Sequence, residues 1–338
     1  MTRPYVNLKS KNIIDEMLQV LNNNLERFIK LEGVIGVTLN GGLSRGYADD
    51  LSEIDLVIYL DKDHYEKWNR GKSPIALGIV KQDGYLYDIK LAEYEKEKEK
   101  QWDSVSLWDL SYAKILYDPS GKIKELMDDK LTAPKTAQAE GLMFGAWWYF
   151  KLAGDIWIKR GDILQGHFIM NKAVIPLIEA LFIANGEYIP HEKWIIHMSR
   201  SLKWKPESWE DKLACCLSAG DLTVESLVNR QRTIEGIWNE IDQYLINSED
   251  RELNLNFSQK GCYEQVKYLL DKGRVTVETW EARYGLSALN YEPLYSFTNI
   301  NDGWVIADKE KLRAIKPENM YYWMFDIIKH VSEEIDKE

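Results

Sequence analysis

The sequence is poor in cysteine, with three residues in a chain of 338. They are Cys215, Cys216 and Cys262, which form neither a Cys-x-x-Cys pair nor an even-numbered set. This pattern excludes a disulfide-stapled scaffold and a cysteine-based metal centre. We expect the adjacent pair to serve as small apolar residues of a helix, in a protein of the reducing cytoplasm.

Long apolar runs are also missing. The longest, Ala173 to Ala184, contains Pro176 and Glu179 and is shorter than the ~20 residues that a membrane-spanning helix needs. The first residues, Met1 to Tyr5, lead directly into polar sequence without the charged and apolar segments of a secretory signal. The sequence therefore predicts no membrane partner.

Clusters of positive charge are absent, and the formal net charge is −11. Binding to a nucleic-acid backbone depends on grouped Lys and Arg side chains, so nucleic acid is not an expected partner. An acidic surface instead attracts cationic small molecules by long-range steering.

Histidine is scarce, with five residues in the chain. His191 and His197 are six positions apart, which does not place them on one helix face as an i,i+4 spacing would, and no cysteine accompanies them. The glycine-rich turn at Gly41 lacks the Lys-[Ser/Thr] of a Walker loop. These absences exclude a histidine metal trio and Walker-type kinases and ATPases.

What the sequence does contain is a pair of carboxylates at the head of an apolar run, Glu53-Ile54-Asp55-Leu56. Alternate side chains of a strand share a face, so Glu53 and Asp55 are predicted to project together. Two neighbouring carboxylates provide the oxygen ligands that a hard divalent cation such as Mg²⁺ prefers. We therefore predict that both bind a metal ion.

A glycine-rich turn precedes this pair and follows the β-branched run that ends at Asn40. Gly41 and Gly42 allow a phosphate to approach the backbone closely, and the turn offers it N–H groups and the hydroxyl of Ser44. Arg45 is a candidate contact to a γ-phosphate, with an ordinary surface position as the alternative. Together with Lys151, which is considered below, these four residues are the predicted nucleotide-binding set.

The two elements together resemble the signature of the DNA polymerase beta-like nucleotidyltransferase superfamily, and the resemblance covers about residues 10 to 130. It implies a third carboxylate on a neighbouring strand, for which Asp88 is the candidate, after the Asp83-Gly84 turn. Two positions depart from the usual pattern: Glu53 stands where Asp is commoner, and Gly42 where Ser is commoner.

The resemblance implies Mg²⁺ as cofactor and ATP as substrate. Glu53 and Asp55 would hold Mg²⁺ against the phosphates of a nucleoside triphosphate. Asp88 would either complete a second metal site or accept the proton of the attacking hydroxyl, and the sequence does not separate these roles. Such transfer needs mainly positioning and charge neutralisation from the protein.

Two further candidates lie in the helical region that follows. Glu179 lies inside an apolar run and is a predicted general base, and Lys151 is a predicted partner of the triphosphate. A solvated or capping role is the alternative for each. In antibiotic-modifying members of the superfamily the acceptor lies between two domains, so the resemblance implies that the helical region contributes residues to the site.

The resemblance implies an α/β (α+β) nucleotidyltransferase core with a mixed sheet, and hydrophobic periodicity predicts that a helical bundle and a small α+β C-terminal region follow it. Strands are predicted at 34–40, 54–60, 75–81, 84–91 and 113–117, and helices at 12–31, 63–70, 92–110 and 120–130. The predicted domains are 1–131 (catalytic), 132–247 (helical) and 248–338. The last region resembles a winged-helix unit, with helices at 263–270 and 277–284, a hairpin at 295–307 and a terminal helix from about 317.

The predicted function is Mg²⁺-dependent transfer of a nucleoside monophosphate, AMP from ATP above all, to a hydroxyl of a small molecule, with release of pyrophosphate. By resemblance, the acceptor is an aminoglycoside-like antibiotic. Two alternatives stay open: adenylylation of a partner protein, as in antitoxin-type relatives, and a non-catalytic nucleotide sensor whose C-terminal region contacts DNA. The sequence predicts no oligomeric state.

Overall fold

A computed structural model describes residues 3–248, 255, 259–316, 319 and 322–335. The chain divides into two compact units, Met1–Ile237 and Trp238–Glu338. Each unit has its own hydrophobic core. The first unit contains the α/β segment together with the helices that follow it up to residue 237. The finer domain boundaries after residues 131 and 247 stay predictions.

A five-stranded mixed sheet forms the centre of the α/β segment, in the order β3-β4-β2-β1-β5. Its strands are β1 (Val34–Leu39), β2 (Ile54–Leu60), β3 (Gly78–Gln82), β4 (Tyr85–Glu93) and β5 (Lys114–Tyr117). Strands β2 and β4 run parallel, and the other neighbouring pairs run antiparallel. The turn between β3 and β4 has φ values of 52° at Asp83 and 88° at Gly84, as a two-residue hairpin requires.

Helices cover both faces of this sheet. They are α1 (Ile14–Asn24), α2 (Glu26–Ile29), α3 (Gly41–Ser44), α4 (Lys62–Lys67), α5 (Tyr94–Glu99), α6 (Ser104–Tyr112) and α7 (Lys122–Lys130). Because alternate strand residues point to opposite faces, Ile58 belongs to the core with α1, whereas Tyr59 packs with Ile123 of α7. Burial on both faces explains why β2 is apolar almost throughout after Asp55.

The rest of the first unit is helical. Its helices are α8 (Ala139–Trp147), α9 (Gly154–Arg160), α10 (Ile163–Ala184), α11 (Glu192–Ser199), α12 (Trp209–Leu217) and α13 (Val224–Ser248), the last of which continues into the second unit. Helix α10 is long and apolar enough to cross a membrane by length and composition alone, but 61% of its most apolar window is buried within the protein. It extends ten residues upstream of the apolar run that the sequence singled out.

The second unit has a three-stranded antiparallel sheet in the order β6-β8-β7. The strands are β6 (Arg274–Thr276), β7 (Thr298–Asn301) and β8 (Trp304–Ala307), and the helices are α14 (Lys260–Lys272), α15 (Val277–Tyr284), α16 (Leu294–Phe297), α17 (Lys309–Ala314) and α18 (Tyr322–Ile335). Its core includes Trp280, Phe297 and Val305. The resemblance to a winged-helix unit stays a prediction.

The predicted fold class, a mixed sheet with helices followed by a helical region, is confirmed. Two predicted helices are divided in the structure. The helix expected at 12–31 ends at Asn24 and resumes at Glu26, and the one expected at 92–110 is split into α5 and α6. The second break has a clear cause, because the Asp103 side chain accepts a hydrogen bond from Ser106 N–H and starts α6. The start predicted for the terminal helix, residue 317, lies outside the described residues.

Candidate active site

Three carboxylates meet at one edge of the central sheet. The parallel register of β2 and β4 pairs Asp55 with Asp88, and Glu53 lies two residues before Asp55 on the same face. Oxygen atoms of Glu53, Asp55 and Asp88 all lie within 4.8 Å of one another, and each residue is partly exposed. The structure thus brings together the three predicted metal ligands.

The electrostatics of this cluster favour a bound cation. Burial raises the pKa of Asp55 to about 6, and the nearby charge of Glu53 adds to the rise, whereas Lys90 opposes it. Ionising Asp55 beside Glu53 is therefore unfavourable without further positive charge at this point. Because oxygen ligands suit hard divalent cations, the cluster fits a divalent metal ion.

The glycine-rich turn lies directly against this cluster. The backbone N–H of Asn40 donates to the carbonyl of Asp55 at 3.0 Å, which joins the end of β1 to the start of β2. Gly41 follows with φ +65°, and a Cβ atom there would lie 1.7 Å from Oδ2 of Asp55. A side chain at residue 41 is thus excluded both by the backbone conformation and by the carboxylate.

Residues 21–131, which include the turn and all three carboxylates, match the family model described as nucleotidyltransferase domain. This segment is a nucleotidyltransferase domain. The match confirms the predicted superfamily and the interpretation of the chain as a nucleotidyltransferase. The acidic cluster indicates a divalent metal for it.

Among solved structures, the chain is similar to a nucleotidyltransferase-like protein from Exiguobacterium sibiricum 255-15. The TM-score is 0.39 and the sequence identity 10%, over 81% of this chain and 87% of that chain. None of the curated proteins matches the sequence.

A cleft of about 520 Å³ is lined in part by Glu53 and Asp55, two of the three carboxylates. Its charged lining residues are Arg45, Asp49, Glu53, Asp55, Lys90, Asp109 and Lys193, and its large aromatic ones are Tyr47, Trp108 and Trp194. Trp194 belongs to α11 and Trp108 to α6, so the helical region contributes one wall of the cleft. Val6 and Leu8 of the N-terminal segment add apolar surface.

The N-terminal segment is fastened to both sides of this cleft. Arg3 donates to the carbonyl of Ser111 at 2.6 Å and to the carboxylate of Glu187 at 2.9 Å. Farther along, the N–H of Asn7 donates to Nε2 of His197 at 3.0 Å. Ser111 lies in the nucleotidyltransferase domain, whereas Glu187 and His197 lie in the helical region, so the segment links the two.

Lys90 is a cleft residue that the sequence analysis did not single out. Its Nζ lies 2.7 Å from Oδ2 of Asp88. Burial works against the charge on Lys90, but the contact with Asp88 and the nearby Asp55 keep its pKa above the ordinary value. A signal was present in the sequence, because Lys90 and Asp88 are two positions apart in a strand and so share a face.

Arg45 and Asp109 form an ion pair at the turn, with 2.8 Å between Nη1 and Oδ1. The guanidinium lies near two indoles, 4.5 Å from the ring centre of Trp108 and 6.0 Å from that of Trp194. The Arg45 side chain is only 4% exposed, so the alternative of an ordinary surface position does not describe it. Asp109 had no sequence signal, because its role depends on how α6 packs against the turn.

The predicted site residues Ser44, Lys151 and Glu179 do not belong to the described lining of the cleft. Ser44 is buried, and its hydroxyl donates to the carbonyl of Gly41 at 2.9 Å, so it stabilises the turn. Residues 42–46 have the Gly-x-Ser-x-Gly pattern of a nucleophile elbow, but in such an elbow the serine hydroxyl is exposed. Lys151 lies within 3.4 Å of Glu235. Glu179 lies on α10.

Proposed function

We propose that this protein transfers a nucleoside monophosphate, AMP from ATP, to a hydroxyl group of a small molecule, with Mg²⁺ as its metal ion. The observation that carries this proposal is the trio of carboxylates beside the Gly41 turn within a nucleotidyltransferase domain. A metal there needs ligands on one side and space for phosphate oxygens on the other, and the cleft supplies that space.

The transfer needs no reactant besides the nucleoside triphosphate and the acceptor. The acceptor oxygen forms a bond to the α-phosphorus, the bond between that phosphorus and the oxygen bridging to the β-phosphate breaks, and pyrophosphate leaves. The acceptor's proton passes to a carboxylate, for which Asp88 is the candidate in this cluster. Bound Mg²⁺ would neutralise charge on the phosphates.

The chain's own residues provide the positioning. Glu53 and Asp55 hold the metal, Gly41 and Gly42 let the triphosphate lie against the backbone, and Arg45 binds a phosphate at the turn. Lys90, whose charge is sustained by Asp88, lies in the cleft lining where it would offset phosphate charge. Because the reacting groups are charged, this preorganised setting is the expected source of most of the rate enhancement.

A small, amine-bearing acceptor suits the cleft. Its volume of about 520 Å³ lies within the range of small-molecule sites, roughly 300–1,000 Å³. The described lining has more carboxylates than cationic side chains, which favours an acceptor with positively charged amines. An aminoglycoside-like antibiotic is a small molecule that carries several amines and hydroxyl groups, and we propose this class as the acceptor.

The test is pyrophosphate release from ATP, GTP, CTP and UTP with Mg²⁺, against a panel of polyhydroxylated amines that includes aminoglycosides. Release that needs one acceptor and fails in Asp55→Asn supports the proposal. ATP binding that is independent of Mg²⁺, with no pyrophosphate from any acceptor, would contradict it and favour a nucleotide sensor.

A further inference from the structure

The carboxylate of Asp109 accepts hydrogen bonds from three donors of the turn. Its Oδ1 lies 2.8 Å from Nη1 of Arg45 and 3.4 Å from the backbone N of Gly41. Its Oδ2 accepts from the side-chain amide of Asn40 at 2.9 Å. Two of these donors, Gly41 and Arg45, are those that the proposed function assigns to the triphosphate.

The donor set is built into the fold rather than collected by chance. Asn40 is 7% exposed, and its side-chain oxygen accepts from the buried hydroxyl of Thr38 at 2.7 Å. This contact fixes the orientation of the amide so that its N–H₂ faces Asp109. The result is a fixed group of N–H donors that already bind an anion of the protein itself, the carboxylate of Asp109.

We propose that Asp109 is the built-in anion of the nucleotide-free cleft, and that a triphosphate binds by displacing its carboxylate from Gly41 and Arg45. This inference rests on the proposed function. Within the proposal the two anions compete, because the single backbone N–H of Gly41 and the Nη1 group of Arg45 that Asp109 occupies would have to turn to the phosphate, and two neighbouring negative charges repel. Asp109 therefore lowers nucleotide affinity and keeps the cleft ordered when it is empty.

The geometry allows the exchange. The Asp109 side chain is 35% exposed, so it can turn toward solvent without movement of the α6 backbone. Its contact with Gly41, at 3.4 Å, is long for a hydrogen bond and the easiest to replace.

A purely positioning role for Asp109 would have the opposite effect. If the carboxylate served only to hold Arg45 for the phosphate, its loss would weaken nucleotide binding. The guanidinium of Arg45, however, also lies 4.5 Å from the ring centre of Trp108 and 6.0 Å from that of Trp194, as cation–π contacts require. The guanidinium therefore stays in place without Asp109 and becomes free to bind phosphate.

The experiment is calorimetric titration of the full chain with ATP at saturating Mg²⁺. Asp109→Asn and Asp109→Ser remove the charge in two different ways, and thermal melting verifies that each variant folds. Both are expected to bind ATP about tenfold more tightly, as loss of a competing charge-assisted hydrogen bond predicts.

The matched control is Asp49→Asn, which removes another carboxylate of the cleft lining. The Asp49 side chain accepts hydrogen bonds from Ser10, Tyr47, Leu51 and Ser52, and none of these donors belongs to the predicted nucleotide-binding set. This variant is expected to change affinity by less than about twofold.

A second set of variants identifies the shared donor. In an Arg45→Ala background, Asp109→Asn is expected to raise the affinity for ATP by less than it does in the wild type, because one donor for which Asp109 and the triphosphate compete is absent. Unchanged or weaker ATP binding in both Asp109 variants would overturn the inference. An equal gain in Asp49→Asn would also overturn it, since net charge would then be the cause. No ATP binding to the wild type or any variant would contradict the proposed function itself, and this inference with it.

Discussion

At the residue scale, Gly41 joins the turn to the metal site. Its φ of +65° and the distance of 1.7 Å that would separate a Cβ atom from Oδ2 of Asp55 make two separate demands for glycine. The first is a backbone cost that any L-residue meets. The second is specific to the site, because a methyl group would displace the carboxylate that is to hold the metal.

We expect Gly41→Ala to abolish metal-dependent activity. Asp55 would have to move away from Glu53 and Asp88, and misplacement by about 1 Å costs about a hundredfold or more in rate. The matched control is Gly46→Ala, which shares the positive φ (+88°) but has open space around its Cβ. Turnover and calorimetric metal binding distinguish them; equal losses in both variants would show that only the backbone conformation matters.

The second prediction at this scale concerns Glu179, whose pKa is raised by burial and by the charge of Glu192. The folded state therefore holds this proton more tightly than the unfolded chain. The contribution of the neutral Glu179 carboxyl to the stability of the fold is fully present below the ordinary pKa of glutamate, and it is lost as the pH rises through the raised pKa of the folded state. Accordingly, Glu179→Gln should have a higher melting temperature than wild type at pH 7.5 and the same one near pH 4. A lower melting temperature at pH 7.5 would mean that the carboxylate has a stabilising partner.

At the scale of elements, the sequence predicted the metal site well because the information is local. The apolar run after Glu53 specifies a strand, and alternation within it places Asp55 beside Glu53. Asp88 required one further step, the pairing of β4 with β2, which the superfamily resemblance supplied. Asp109 was missed because its position depends on how α6 packs, and no pattern within α6 records that. The break before α6 was missed, although the sequence contains its signal, because Asp103 is a good N-cap residue.

Two glycines in helices test the packing of the helical region. Gly145 of α8 has open space at its Cβ position, whereas a Cβ on Gly166 of α10 would lie 2.4 Å from Cδ2 of the buried Leu227. Gly145→Ala should stabilise the protein by up to about 1 kcal/mol through helix propensity. Gly166→Ala should destabilise it by about 1–3 kcal/mol through overpacking. Urea unfolding measures both; a gain from Gly166→Ala would show that α10 and α13 pack more loosely.

At the scale of the whole molecule, charge separates the remaining alternatives. The net charge is −11, and residues 287–295, which lie between α15 and β7 of the second unit, contain Glu292 and no Lys or Arg. A DNA-contacting regulator needs positive charge to release counterions from the phosphate backbone.

The cleft wall formed by α11 could not be predicted, since it arises from contacts between residues about a hundred positions apart.

We expect the full chain not to retain duplex DNA in an electrophoretic mobility assay at low salt, where any electrostatic binding is strongest. A basic DNA-binding domain of similar size serves as the positive control. A shifted band at micromolar protein that disappears at high salt would contradict this expectation and revive the DNA-contacting alternative.

The central claim is that Glu53, Asp55 and Asp88 hold a metal ion for nucleotidyl transfer, and pyrophosphate release tests it most directly. The assay compares wild type with Asp55→Asn, which keeps the side chain's shape, in the presence of ATP, Mg²⁺ and an accepted polyhydroxylated amine. Loss of several kcal/mol of charge stabilisation predicts at least about a hundredfold slower release, and chelation of the metal should stop the wild type as well. Release at the wild-type rate by Asp55→Asn, or by the wild type without divalent metal, would contradict the account.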